Sequence, residues 1–144
     1  MEIYKKNQIF SSYCNDEKLI HHSKHLLLEL YGCDCEKLND ESFLRCTLSR
    51  TAKLAKATVL NLISNKFEPQ GVTAIVLLAE SHISIHTWPE SNYSAVDIFT
   101  CGQNMIPELA SQYLIESLMA KEHSLRVIER NPPSALSKQI RTVV

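Results

Sequence analysis

The chain has 144 residues, 44% hydrophobic and 22% charged, a balance that suits one folded domain with its own core and excludes fibrous and disordered classes. Its formal net charge of -1, with lysines and arginines scattered, leaves no basic stripe for phosphate-driven binding, so no nucleic-acid partner is expected. No apolar run approaches the length that crosses a bilayer, and the cysteines are five, an odd number; the expectation is a cytoplasmic protein with free thiols and no membrane contact.

Residues 1–22 read as a polar, irregular N-terminal extension without repeats. Residues 25–32, short, apolar and stopped by Gly32, favour a strand over a helical turn. Asn39-Asp40-Glu41 offers a helix N-cap, and Leu44, Thr47, Leu48, Thr51, Leu54 and Ala55 then recur at the spacing of one helix face. Segments 58–63, 72–79, 83–87 and 95–101 are rich in β-branched and aliphatic residues and read as strands. A second amphipathic helix is signalled by Ile106, Leu109, Ala110, Tyr113, Leu114 and Leu118, with Pro107 tolerable in its first turn, and residues 125–129 read as a last strand. Pro132 and Pro133 keep the tail, residues 131–144, out of any central strand. Five or six strands with two helices predict an α+β fold: a two-layer sandwich with both helices on one face of a mostly antiparallel sheet, and the other face free for a ligand or partner. The domain spans residues 23–130.

The chemistry concentrates in one stretch, Ala79-Glu80-Ser81-His82-Ile83-Ser84-Ile85-His86-Thr87-Trp88-Pro89-Glu90, followed after a short turn by Asp97-Ile98-Phe99-Thr100-Cys101-Gly102. Decarboxylating an α-amino acid leaves a carbanion that needs an electron sink, and a carbonyl that condenses with the substrate amine provides one. No unmodified side chain carries such a carbonyl. A serine can generate it if its hydroxyl attacks the preceding carbonyl to give an ester. A base then removes the serine α-proton, the ester is eliminated, and the dehydroalanine left behind hydrolyses to a pyruvoyl group. Ser81, at the junction of two predicted strands, with His86 and Cys101 nearby in sequence, has the parts for this.

The same stretch resembles the processing and active-site signature of the prokaryotic S-adenosylmethionine decarboxylases, and weaker similarity covers most of residues 23–130. The resemblance implies cleavage between Glu80 and Ser81 into a β chain of residues 1–80 and an α chain of residues 81–144, which begins with a covalently bound pyruvoyl cofactor made from Ser81. It implies His86 as proton acceptor in processing, Cys101 as proton donor in catalysis, and Thr73 as a hydroxyl that aids processing. Phe67 and Glu90 would bind the substrate, S-adenosylmethionine, Phe67 through its aromatic face and Glu90 through the ribose hydroxyls. It further implies a homodimer of cleaved protomers, stacked as a four-layer sandwich with the sites near the interface, that makes the aminopropyl donor of spermidine and other polyamines.

The chain departs from the resembled pattern in four places. Asn65 stands for histidine, Ala74 for glycine, Ser23-Lys24 for Gly-Arg and Asn92 for a turn glycine. Asparagine tolerates the left-handed backbone, so the last change is mild. Two other functions remain open: an arginine or ornithine decarboxylase of the same fold, against which Phe67 and Glu90 weigh, and a non-catalytic regulatory paralogue, against which Ser81, His86 and Cys101 weigh. His82 and His86 share a strand face without a third ligand, so no metal site is expected. Cys33 and Cys35 read as small residues at a strand end, His21, His22 and His25 as exposed groups without a site, and Trp88 as a core or interface aromatic. Strand alternation puts Ser81 and His86 on opposite faces, so their meeting predicts a bulge near Ser84 or a bend at the junction.

Overall fold

The computed structural model describes residues 23–102 and 104–130. The N-terminal extension, the C-terminal tail, Cys14, His21 and His22 lie outside the described residues. Alternation of period two runs through the inner strands, because a strand half-covered by helices must send every second side chain inward. In β1 (Ser23–Tyr31), Leu26, Leu28 and Leu30 are fully buried. In β3 (Val72–Ala79) the buried set is Val72, Ala74, Val76 and Leu78. β4 (Ser81–Trp88) buries Ile83 and Ile85, and β5 (Tyr93–Cys101) buries Val96 and Ile98. With β2 (Thr58–Lys66) and β6 (Glu122–Glu129) they form a six-stranded sheet in the order β2-β3-β4-β5-β1-β6, every pair antiparallel.

The inward side chains meet helices α2 (Glu41–Leu54) and α3 (Pro107–Ser117), whose Leu44, Leu48, Ala52, Ala110 and Leu114 complete one core. A buried large aliphatic side chain contributes about 1.5–3 kcal/mol, so this helix-covered layer holds the domain together. Asp40 starts α2 as expected, its carboxylate accepting the Phe43 N–H at 2.9 Å, and Pro107 opens α3 where its missing N–H costs nothing. The α+β two-layer reading is borne out.

One helix was not foreseen, and β2 is longer than expected. A four-residue helix, α1 (Cys35–Leu38), follows β1, capped by Asp34, whose side chain accepts from the Glu36 and Lys37 N–H groups. Cys33 is therefore buried beneath this turn, with its thiol pushed up to about 11 by burial, while Cys35 faces out from the helix. They are not an equivalent pair at a strand end. β2 also runs on to Lys66, and the register shift in the sheet falls there, between Val59 and Asn61.

The connection from β4 to β5 is a 3-10 turn (Pro89–Ser91) closed by Asn92 at φ 49°. Asn92 does more than tolerate this backbone. Its amide donates to the Cys33 carbonyl at 2.8 Å while its own carbonyl accepts the Cys33 N–H at 2.9 Å, tying the turn to the end of β1.

Candidate functional site

The residues of chemical interest fall at the two ends of the sheet, most of them on its uncovered face and Ser81 on the covered one. At one end a single residue, Glu80, separates β3 from β4, so that Ser81 opens β4 opposite Leu78. Ser81 lies inward, in line with Ile83 and Ile85, and its Oγ is buried with no hydrogen-bond partner among the described residues. Leaving a buried hydroxyl unpaired costs about 1–3 kcal/mol, a cost that structural serines avoid.

Next to it, β5 ends on the open face with Phe99 and then Cys101. Phe99 pairs across the strands with both His82 and His25, the two rings tilted against it at 5.8 and 5.6 Å between centroids. The Arg130 guanidinium lies 4.8 Å over the same ring. Cys101 pairs with Ser23, whose hydroxyl donates to its sulfur at 3.3 Å. His25, to which the sequence assigns no site, shares a 2.8 Å contact with Asp97.

The opposite end holds another cluster. Thr73 and His86 are cross-strand partners, and the Thr73 hydroxyl and His86 Nδ1 share a 2.9 Å hydrogen bond. His86 sits 6.4 Å from Trp88, which stacks at 5.1 Å on Tyr93, itself stacked at 5.5 Å on Tyr31. Trp88 is exposed on this face, which excludes the core alternative for it. Burial first, and then a hydrogen bond to Glu29, pushes the Tyr93 phenol up to about 12. Phe67, just past β2, and Glu90, in the 3-10 turn, are exposed at this same end.

Ser81 and His86 are thus five strand steps apart, about 17 Å at roughly 3.3 Å per residue, and on opposite faces. The bulge that would bring them together is absent: β4 pairs without a register shift from Ser81 to His86 with β3 and from His82 to Trp88 with β5. Continuous hydrogen bonding on both sides leaves no place for an extra residue. The described chain therefore puts Ser81 and Cys101 at one sheet end, on opposite faces, and brings Thr73 against His86 at the other, with Phe67 and Glu90 at that second end.

Comparison with known proteins decides the family. A family model described as S-adenosylmethionine decarboxylase matches residues 24–131. The chain belongs to the S-adenosylmethionine decarboxylase family. It is 58% identical over 118 residues to the S-adenosylmethionine decarboxylase proenzyme of Prochlorococcus marinus (strain MIT 9313), covering 82% of this chain and 94% of the relative. It is likewise 58% identical over 119 residues to the proenzyme of Synechococcus sp. (strain WH7803), covering 83% and 93%. The crystal structure of the adenosylmethionine decarboxylase from Aquifex aeolicus VF5 superposes with a TM-score of 0.74 at 38% identity, covering 81% of this chain and 97% of that one.

In this family member, sequence reasoning missed Ser23, His25 and Asp97. A signal existed: Asp97 is a lone charge in an otherwise uncharged strand, and alternate positions of β1 and β5 put His25, Asp97, Phe99 and Cys101 on one face. Reading it requires the β1–β5 register, which links residues more than seventy positions apart.

Proposed function

We propose that the protein is a self-processing, pyruvoyl-dependent S-adenosylmethionine decarboxylase of the cytoplasm, releasing CO2 and S-adenosylmethioninamine for spermidine synthesis. The observation that carries this reading is the Ser81 hydroxyl, buried and without a partner among the described residues, at the first residue after the Glu80 turn. An oxygen held by no structural hydrogen bond is available to attack the Glu80 carbonyl. The resulting ester is eliminated when the Ser81 α-proton is removed, and hydrolysis of the dehydroalanine releases ammonia and leaves the pyruvoyl group on residues 81–144. That group fits the site, since no hydrogen bond to Ser81 Oγ is lost when the hydroxyl disappears. When present it supplies the electron sink for the charge left by departing CO2.

The remaining roles belong to side chains. Cys101, at the same sheet end, holds the proton returned to the substrate α-carbon. Cleavage cuts the tether to Glu80 that fixes which way residue 81 points, and so frees it to face Cys101. His86 takes the processing proton with Thr73 orienting its ring, and Phe67 and Glu90 receive the adenosyl part of the substrate.

The separation of the two clusters is bridged by a homodimer in which open sheet faces stack and the Thr73–His86 end of one protomer serves the residue 81 backbone of its partner, taking the α-proton from the open side while the Ser81 hydroxyl stays inward beside the Glu80 carbonyl. The exposed Ile63, Leu77, Trp88 and Ile128 on that face support such a cover. Purified protein should show two polypeptides by intact mass, broken after Glu80, the smaller lighter than a serine-started chain by about one ammonia. It should release CO2 from carboxyl-labelled S-adenosylmethionine and not from labelled arginine or ornithine. A single uncut chain, or release from either basic amino acid instead, sinks this reading.

A further inference from the structure

We propose that Ser23 is a positioning residue for the Cys101 thiol, a use of β1 that the proton-donor role of Cys101 does not itself require. The inference rests on that role and adds how this chain controls it. Ser23 and Cys101 are directly opposed at the ends of β1 and β5, and the serine hydroxyl donates to the sulfur at 3.3 Å. Ser23 is itself only 8% exposed. Its backbone is fixed from both sides, by pairing with β5 and by the Arg130 N–H, which donates to the Ser23 carbonyl at 2.8 Å. The hydroxyl is therefore held over the sulfur instead of sampling solvent.

A donor aimed at sulfur does two things. It restricts the thiol to one direction, and it favours the thiolate that remains after the proton has been given to the substrate. Glycine, usual here in the resembled pattern, can do neither. Other charges also reach this corner: His25 from β1 with Asp97 of β5, His82 and the Glu80 turn from β4, and Arg130 from the end of β6, over Phe99. Ser23 is the side chain among them that touches the sulfur.

The test uses processed protein, alkylated with iodoacetamide at one fixed pH, with the rate of labelling at Cys101 read by peptide mass spectrometry apart from the other cysteines. Ser23→Ala and Ser23→Gly should slow alkylation of Cys101 several-fold and lower kcat about fivefold to tenfold with KM unchanged. Ser23→Thr, which keeps the hydroxyl, should restore both. The glycine variant guards against a folding defect, because the resembled pattern carries glycine at this place. An unchanged alkylation rate in both variants overturns the proposal. Unchanged turnover in Cys101→Ala overturns the proton-donor reading instead, and the alkylation rate still reports whether Ser23 acts on the thiol.

Discussion

Ser81 is the residue at which stability and function pull apart. A serine in an apolar layer normally donates to a nearby carbonyl, as Thr51 does to the Thr47 carbonyl at 2.8 Å inside α2. The Ser81 hydroxyl makes no such bond among the described residues, which leave its desolvation uncompensated. Ser81→Ala should therefore abolish cleavage and yet leave the fold intact, with an unfolding free energy equal to that of uncut protein or higher by up to about 1–3 kcal/mol. Chemical denaturation of the variant beside an uncut wild-type sample checks this. Marked destabilisation would mean that the hydroxyl has a structural partner and is not held in reserve for chemistry.

At the scale of elements, α2 shows how local signals and tertiary packing share the work. Its start depends on one hydrogen bond from Asp40, while its inward face is secured by Leu44, Leu48 and Ala52 against the sheet. Asp40→Ala should cost about 1 kcal/mol, seen as a fall in Tm of about 4 °C by circular dichroism, with cleavage at Glu80-Ser81 unaffected. Both long helices and most strand cores were legible because a helix face or a strand alternation is written within a dozen residues. α1 was not, since four residues carry no periodicity and only the Asp34 cap marks it. The end of β2 was hidden by its edge position, where Asn61, Ser64 and Asn65 break the apolar pattern, and by the register shift after Val59. The site shows the same division. Glu80, Ser81, His86 and Cys101 stand out as a motif along the chain, but which of them share a sheet end depends on strand pairing, which sequence spacing does not encode.

For the whole molecule, the separation of about 17 Å between Ser81 and His86 turns oligomerisation into a mechanistic question. If both residues act in processing, the unbroken β4 ladder forbids their meeting within one described chain, and a two-fold pair of open faces is the simplest arrangement that brings one protomer's imidazole to the residue 81 backbone of the other. Such a dimer has two composite sites, each made of one protomer's Ser81 and the other's His86. Two inactive variants can then rescue each other. Ser81→Ala and His86→Ala, carrying different tags and expressed separately, should each remain uncut. Co-expressed, they form mixed dimers in which the intact Ser81 of the His86→Ala chain meets the intact His86 of the Ser81→Ala chain, while the second composite site has lost both groups. Random pairing puts about half of the His86→Ala chains into mixed dimers, so about half of that chain should be cleaved and none of the Ser81→Ala chain. Thr73 accompanies His86 through their shared hydrogen bond, so a Thr73→Ala change slows cleavage of the His86→Ala chain when carried by the Ser81→Ala chain and not when carried by the His86→Ala chain itself. If co-expression leaves both chains whole although mixed dimers are recovered through their two tags, His86 serves its own chain after all, and β4 must open for processing.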